Sequence, residues 1–216
     1  MSNPNPTTNN TFKLEEKIPF DGFSQQFDGI NVSELLGYSM VSMAFSSNSS
    51  SQDKKPALVE NIKAAYDAEL PEVGKFTTSA VDNTRILSVQ QDQCFVLFEN
   101  ETVYQNCTAV AHIQEKVKDS AYLSDQSDSW AMLKISGSNT RAALERICSI
   151  NLQPSSDASG FGPFSVTRTS MEYLGVIIMQ VNEPVAGAED EYLLFSPRSS
   201  ADAFLHMILT SIENVS

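Results

Sequence analysis

Hydrophobic positions along this chain change period repeatedly, and each change predicts an element. In the downstream half, residues 129–137 carry strand character and lead into an amphipathic helix over 139–150, with Leu144, Ile147 and Cys148 on its apolar face. Strands follow at 164–169, 176–181 and 190–195, the first two separated by a turn around Met171 to Gly175. The half closes with a helix over 201–212, where Phe204, Leu205, Ile208, Leu209 and Ile212 form a broad apolar stripe. Ser199-Ser200-Ala201-Asp202 ahead of it has the form of a capping box.

The upstream half shows a weaker copy. A strand is predicted over 36–45, followed by a serine-rich stretch at 46–51 that reads as a flexible loop. A helix opens at Pro56, where the missing N–H costs nothing, carries Leu58, Ile62, Ala65, Tyr66 and Leu70 on one face, and stops at Pro71. Strands at 76–80, 84–89 and 94–98, a helix over 106–118 and a polar linker over 119–128 complete it. The shared order predicts an α+β fold of two related β-α-β-β-α units, antiparallel sheets with helices packed on them. The expected organisation is an N-terminal tail or extended segment over 1–31, with 1–11 disordered by composition. A first half over 32–120 and a second over 121–216 would form one compact unit. Phe12, Phe20, Phe23 and Phe27 would dock the extended segment, either on its own domain or on a partner.

Composition narrows the function. A net charge of −13 argues against nucleic acid and anionic membranes as partners. The sequence shows neither a signal peptide nor a span of apolar residues long enough to cross a bilayer, so a soluble cytoplasmic protein is expected. Three widely spaced cysteines, Cys94, Cys107 and Cys148, fit reduced thiols, and Cys94 and Cys148 read as small buried hydrophobes.

A search for reactive constellations finds none at the spacings chemistry needs. The two histidines stand apart: His206 fits a helix pair with Asp202, and His112 lies on an amphipathic helix. No phosphate-binding glycine loop, nucleophile elbow or zinc motif occurs, and Gly160-Phe161-Gly162-Pro163 reads as a turn. Asp125 and Asp128 could in principle share acid–base work, but they flank serines in a polar stretch where turn hydrogen bonds use them. Arg198 could hold an anion at the following helix start or pair with a carboxylate. Trp130 is placed facing a core or an interface. Accordingly no catalytic, cofactor-binding or metal residue is assigned.

Several of these residues carry a family resemblance. Asp125-x-Ser127-Asp128-x-Trp130, Leu133-x-Ile135-Ser136-Gly137, Ala143-Leu144-Glu145, Cys148-x-x-Asn151-Leu152, and Tyr192-Leu193-Leu194-Phe195 followed by Arg198-Ser199-x-Ala201 resemble the gamma subunit of heterotetrameric sarcosine oxidase. The family's usual Asp is Asn151 here, its aromatic is Ser200, and its Gly-Pro-Asp-Glu-Trp is Gln90 to Cys94. A sister complex acting on a related N-methyl amine fits the same pattern.

The resemblance implies a fold like the N-terminal part of the folate-binding aminomethyltransferase of the glycine cleavage system. It further implies alpha, beta and delta partner subunits, with FAD, FMN, NAD and tetrahydrofolate held by the partners and no cofactor or activity in this chain. The complex would demethylate sarcosine to glycine, with hydrogen peroxide and methylenetetrahydrofolate as further products. The competing expectation is a stand-alone folate-binding protein of the same fold, of the aminomethyltransferase or iron–sulfur assembly type. Against it, the chain is short for a full transferase and lacks the Lys-Gly-Cys-x-x-Gly-Gln type motif.

Overall fold

The structure is a computed structural model that describes residues 17–45, 55–99, 108–153, 160–181 and 189–215. The readings for the N-terminal 1–11 segment, Phe12, the 46–51 loop, Cys107 and the start of the 106–118 helix lie outside the described residues.

In chain order the elements are β1 (Ser24–Phe27), β2 (Ile30–Glu34), β3 (Tyr38–Ala44), α1 (Lys55–Tyr66), β4 (Phe76–Thr78), β5 (Arg85–Gln90), β6 (Gln93–Glu99), α2 (Ala109–Val117) and β7 (Tyr122–Asp125). They continue with β8 (Trp130–Gly137), α3 (Thr140–Glu145), β9 (Val166–Met171), β10 (Leu174–Gln180), β11 (Asp190–Pro197) and α4 (Ala201–Glu213). One sheet runs β1-β2-β8-β11-β10-β9 and the other β4-β5-β6-β3-β7, and every pairing is antiparallel. The fold is thus α+β, as the repeated element order implies.

Both faces of the central strands β3, β6, β10 and β11 are buried, which explains their continuous apolar runs. From β3, β5 and β6, Val41, Met43, Ile86, Cys94, Val96 and Phe98 face Leu58, Ile62, Tyr66, Ile113 and Val117 of α1 and α2. The alternate residues Met40, Leu87, Phe95 and Leu97 meet Met132, Ile177, Met179, Leu193 and Phe195 of the other sheet. Leu133, Ile135, Ile178, Tyr192 and Leu194 then pack on α3 and α4 through Leu144, Phe204, Ile208 and Ile212. Period-two alternation therefore sorts large side chains between two cores instead of between core and water. Each fully buried aliphatic or aromatic side chain contributes about 1.5–3 kcal/mol by removal from water, so these layers dominate the stability.

The two halves exchange strands. The strand before each unit completes the other unit's sheet or borders it: β2, which precedes β3, pairs with β8, while β7, which precedes β8, pairs with β3. Glu34 stands opposite Leu133, and Asp125 stands opposite Val41. The crossing segments are pinned reciprocally, Leu35 N donating to Met132 O at 2.9 Å and Gln126 N to Met40 O at 2.8 Å. A second reciprocal pair joins the sheets elsewhere, Phe76 N to Phe164 O and Val166 N to Gly74 O, both at 2.9 Å. An approximate two-fold relation between the halves accounts for both pairs.

Several expectations are corrected. The boundary placed between residues 31 and 32 falls inside β2, because Ser24–Glu34 belongs to the sheet of the downstream half. The stretch read as a polar linker contains β7, an edge strand whose outward residues need no apolar character. Helix α1 ends at Tyr66, where Asp67 takes φ 47°, although Leu70 still packs on the core beyond it. Helix α3 stops at Glu145 instead of 150, since Cys148 and Ser149 leave the helical path to pair with Met171 and Ser170 of β9. The capping box does not form: a 3-10 turn at Arg198–Ser200 precedes α4, and Ser200 makes no side-chain cap bond. Phe20 is buried against Phe204, with Phe23 and Phe27 beside the same core, so these phenylalanines dock on their own chain.

The β1–β2 hairpin crosses the end of β8 at a point that only glycine permits. Gly137 has φ +129°, and a Cβ there would lie 2.2 Å from Gly29 O. Gly137→Ala should therefore lower unfolding stability by roughly 3 kcal/mol or more, from combined backbone strain and overlap. Urea titration of the full chain measures this, and an unchanged midpoint would contradict the close approach.

Candidate functional site

The exchange of strands leaves a cleft of about 880 Å³ where the two crossing segments run side by side. Leu35, Leu36, Gly37 and Tyr38 form one wall, Ser127, Asp128, Trp130 and Met132 the other, with Lys17, Ile18 and Arg198 at the rim. Tyr38 and Trp130 open equivalent strands of the two halves. The position of Trp130 at the cleft follows from this symmetry, and its ring also meets Phe95 edge-on at 6.2 Å. The Arg168 guanidinium lies 5.8 Å from the Trp130 ring centre, a cation–π arrangement.

The ionisable groups here are tied to the fold. Glu34 accepts backbone bonds from Phe20 N at 3.0 Å and Gly22 N at 2.7 Å, which fastens the 18–23 segment over the sheet. Asp125 accepts from both the amide and hydroxyl of Ser127, whose Oγ in turn accepts from Met40 N at 3.2 Å. Arg198 pairs with Asp128 at 3.3 Å and donates to the Lys17 carbonyl. The Tyr38 hydroxyl donates to Glu99 at 2.9 Å, and burial together with that carboxylate holds its pKa above the ordinary phenol range. Asp125 and Asp128 thus serve a turn and an ion pair, so the structure brings neither into an acid–base dyad.

The remaining candidates lie elsewhere. Burial pushes the Cys94 thiol up to about 12 and raises that of Cys148, so neither is poised as a thiolate. His206 is exposed on α4, and no ion pair joins it to Asp202 among the described residues. The His112 ring packs 5.5 Å from Phe98. No group of three or more metal-ligating side chains occurs among the described residues, and no helix there is long and apolar enough to cross a membrane. Sequence reasoning missed Lys17, Glu34 and Tyr38 as cleft residues because only the strand exchange brings them to Trp130 and Arg198. Asp28-Gly29, a hairpin-forming pair between two short alternating runs, was the available signal for the element that carries Glu34.

What the cleft offers chemically is a mixed docking surface. Ile18 and Leu36 are 42% and 51% exposed, large apolar groups left on the rim beside the Lys17 and Arg198 cations.

No family model matches the sequence, and no curated protein matches it. Solved structures do. A chain of heterotetrameric sarcosine oxidase from Corynebacterium sp. U-96, in complex with pyrrole 2-carboxylate, superposes with TM-score 0.66 and 17% identity, covering 87% of this chain and 85% of that one. The glycine cleavage system aminomethyltransferase T from Bartonella henselae gives TM-score 0.61 and 10% identity over 89% of this chain but 56% of that one. At these identities the likeness establishes the fold, which is aminomethyltransferase-like.

Two outcomes follow from these contacts. Glu34→Gln weakens a charge-assisted pair of bonds and should cost about 1.5–3 kcal/mol, with loss of amide-exchange protection at Phe20 and Gly22. Burial, then the neighbouring Lys116, holds the His112 imidazole below its ordinary 6.5, so the unfolded chain takes up the proton first on acidification. The associated stabilisation is complete above pH 6.5 and is lost as pH falls through the folded-state value. Denaturation midpoints measured across that window should fall less steeply for His112→Phe than for the unaltered chain.

Proposed function

We propose that this chain is the non-catalytic gamma subunit of a sarcosine oxidase type complex, acting in the cytoplasm to support assembly with alpha, beta and delta subunits. The observation that carries the proposal is mutual coverage. Matches over 87% of this chain and 85% of the Corynebacterium chain mean that the two are about equally long. The sequence motifs from Asp125 to Ala201 point the same way. In this reading the flavins, NAD and tetrahydrofolate belong to the partner subunits, where sarcosine is oxidised to glycine. This chain contributes surface. The Ile18, Leu36, Lys17 and Arg198 rim is the contact region its exposure and charge favour.

A stand-alone folate protein fits less well. The donor edge of a pteridine calls for an accepting carboxylate in a shielded cleft. Glu34, the buried carboxylate of the large cleft, already accepts two backbone bonds, and Asp128 is fully exposed and paired with Arg198.

Co-expression with candidate alpha, beta and delta subunits tests the proposal. The tagged chain should recover yellow flavoprotein partners, whereas alone it should be colourless and inert towards sarcosine. Leu36→Asp should reduce recovery of the partners while leaving the chain folded. Flavin absorbance or sarcosine turnover by the isolated chain would overturn the assignment.

A further inference from the structure

A second cleft, of about 550 Å³, lies at the other junction of the two sheets, where Lys75 and Ser165 face each other in an isolated antiparallel bridge. The reciprocal backbone bonds from Phe76 N to Phe164 O and from Val166 N to Gly74 O flank that bridge. Lys75 is half-buried there and, among the described residues, belongs to none of the ion pairs, in a chain with 27 acidic residues and 14 basic ones. Its ammonium makes one hydrogen bond, to Ser165 Oγ at 2.9 Å. Ser165 is 2% exposed, and the same Oγ accepts from Gly162 N at 3.1 Å.

With both lone pairs of that hydroxyl occupied, its proton is left as a donor, beside two unused ammonium hydrogens. In the open cleft water is the remaining acceptor for these donors, and an entering carboxylate takes the place of that water. The turn that delivers Ser165 is itself strained: Phe164 has φ 59°, a backbone conformation that costs about 1–3 kcal/mol for a residue other than glycine. The lining also includes Val73, Ile150 and Phe161, with Asn151, Gln153 and Thr167 as further polar groups. Glu72 also lines the cleft, but its carboxylate forms no ion pair with Lys75.

We propose that this cleft binds a small organic monocarboxylate, its charged group on Lys75 Nζ and Ser165 Oγ and its apolar body against Phe161 and Ile150. One ammonium matches one negative charge, and the volume lies in the usual range of small-molecule sites. The site stands apart from the large cleft, and its test does not depend on the subunit reading.

The test is a titration of the full chain with sodium benzoate, followed by amide NMR shifts at Gly162, Ser165 and Thr167. Saturable shifts in the millimolar range are expected, with affinity weakened roughly tenfold or more in Lys75→Gln and undiminished in Glu72→Gln. Benzyl alcohol, the neutral counterpart, should produce no saturation, which gives an arm independent of any variant. Equal shifts with benzyl alcohol or with sodium chloride at matched ionic strength would overturn the proposal. So would unchanged binding in folded Lys75→Gln. Loss of partner-subunit recovery in Lys75→Gln without benzoate binding would also overturn it, placing Lys75 at a protein interface instead.

Discussion

The reciprocal crossing of the two halves is the constraint on which the rest of the molecule depends. Leu35 bonds to Met132 of β8 and Gln126 to Met40 of β3, so each crossing segment is fixed to a strand of the sheet it leaves before it enters the other. That geometry sets the position of Tyr38 beside Trp130 and opens the large cleft between them. It also aligns the inner faces of the two sheets, where Met40 and Met132, equivalent residues of the two halves, join the same central core. Neither sheet is complete without a strand delivered across this junction or bordering it.

Burial of both faces of the central strands leaves little room for chemistry. Several polar groups are held by structure, Glu34 by two amides, Ser127 by Met40 and Arg141 by Asp190 at 2.8 Å, whereas the buried Tyr66 hydroxyl and Thr140 Oγ1 have no hydrogen-bond partner among the described residues. A layered arrangement of this kind commits its strand residues to packing and leaves interaction to the rims of the clefts. Isolated cations and apolar groups there, such as Lys75, Ile18 and Leu36, are the features that packing does not explain.

Much of the fold was legible because periodicity tracks burial. The apolar runs of β6, β10 and β11 and the stripe of α4 identify their own elements, and the repeated order gives the α+β class. What escaped were elements whose residues look polar for good physical reason. Tyr122–Asp125 lies at a sheet edge, and Ser24–Phe27 is an edge strand on the opposite sheet. Helix α3 was over-extended because Ile147 and Cys148 continue a helical pattern while the backbone departs to pair with β9. The candidate sites were less legible still. Glu34, Tyr38, Lys75 and Ser165 gain their meaning from partners roughly 12 to 90 residues away, a distance no local pattern records.

The pairing of β2 with β8 brings Asn31 opposite Ser136. During synthesis, the sheet containing β3 to β7 can close on itself as soon as Asp125 has emerged, whereas the β1–β2 hairpin has nothing to pair with until the chain beyond Gly137 is available. Contacts of such sequence separation form late and slowly, since loop closure must precede the reward. The early hairpin therefore waits with the β8-facing edge of β2 open, while its short, polar β1 strand, with Ser24, Gln25 and Gln26 all exposed, covers the opposite edge of β2 and ends the sheet there.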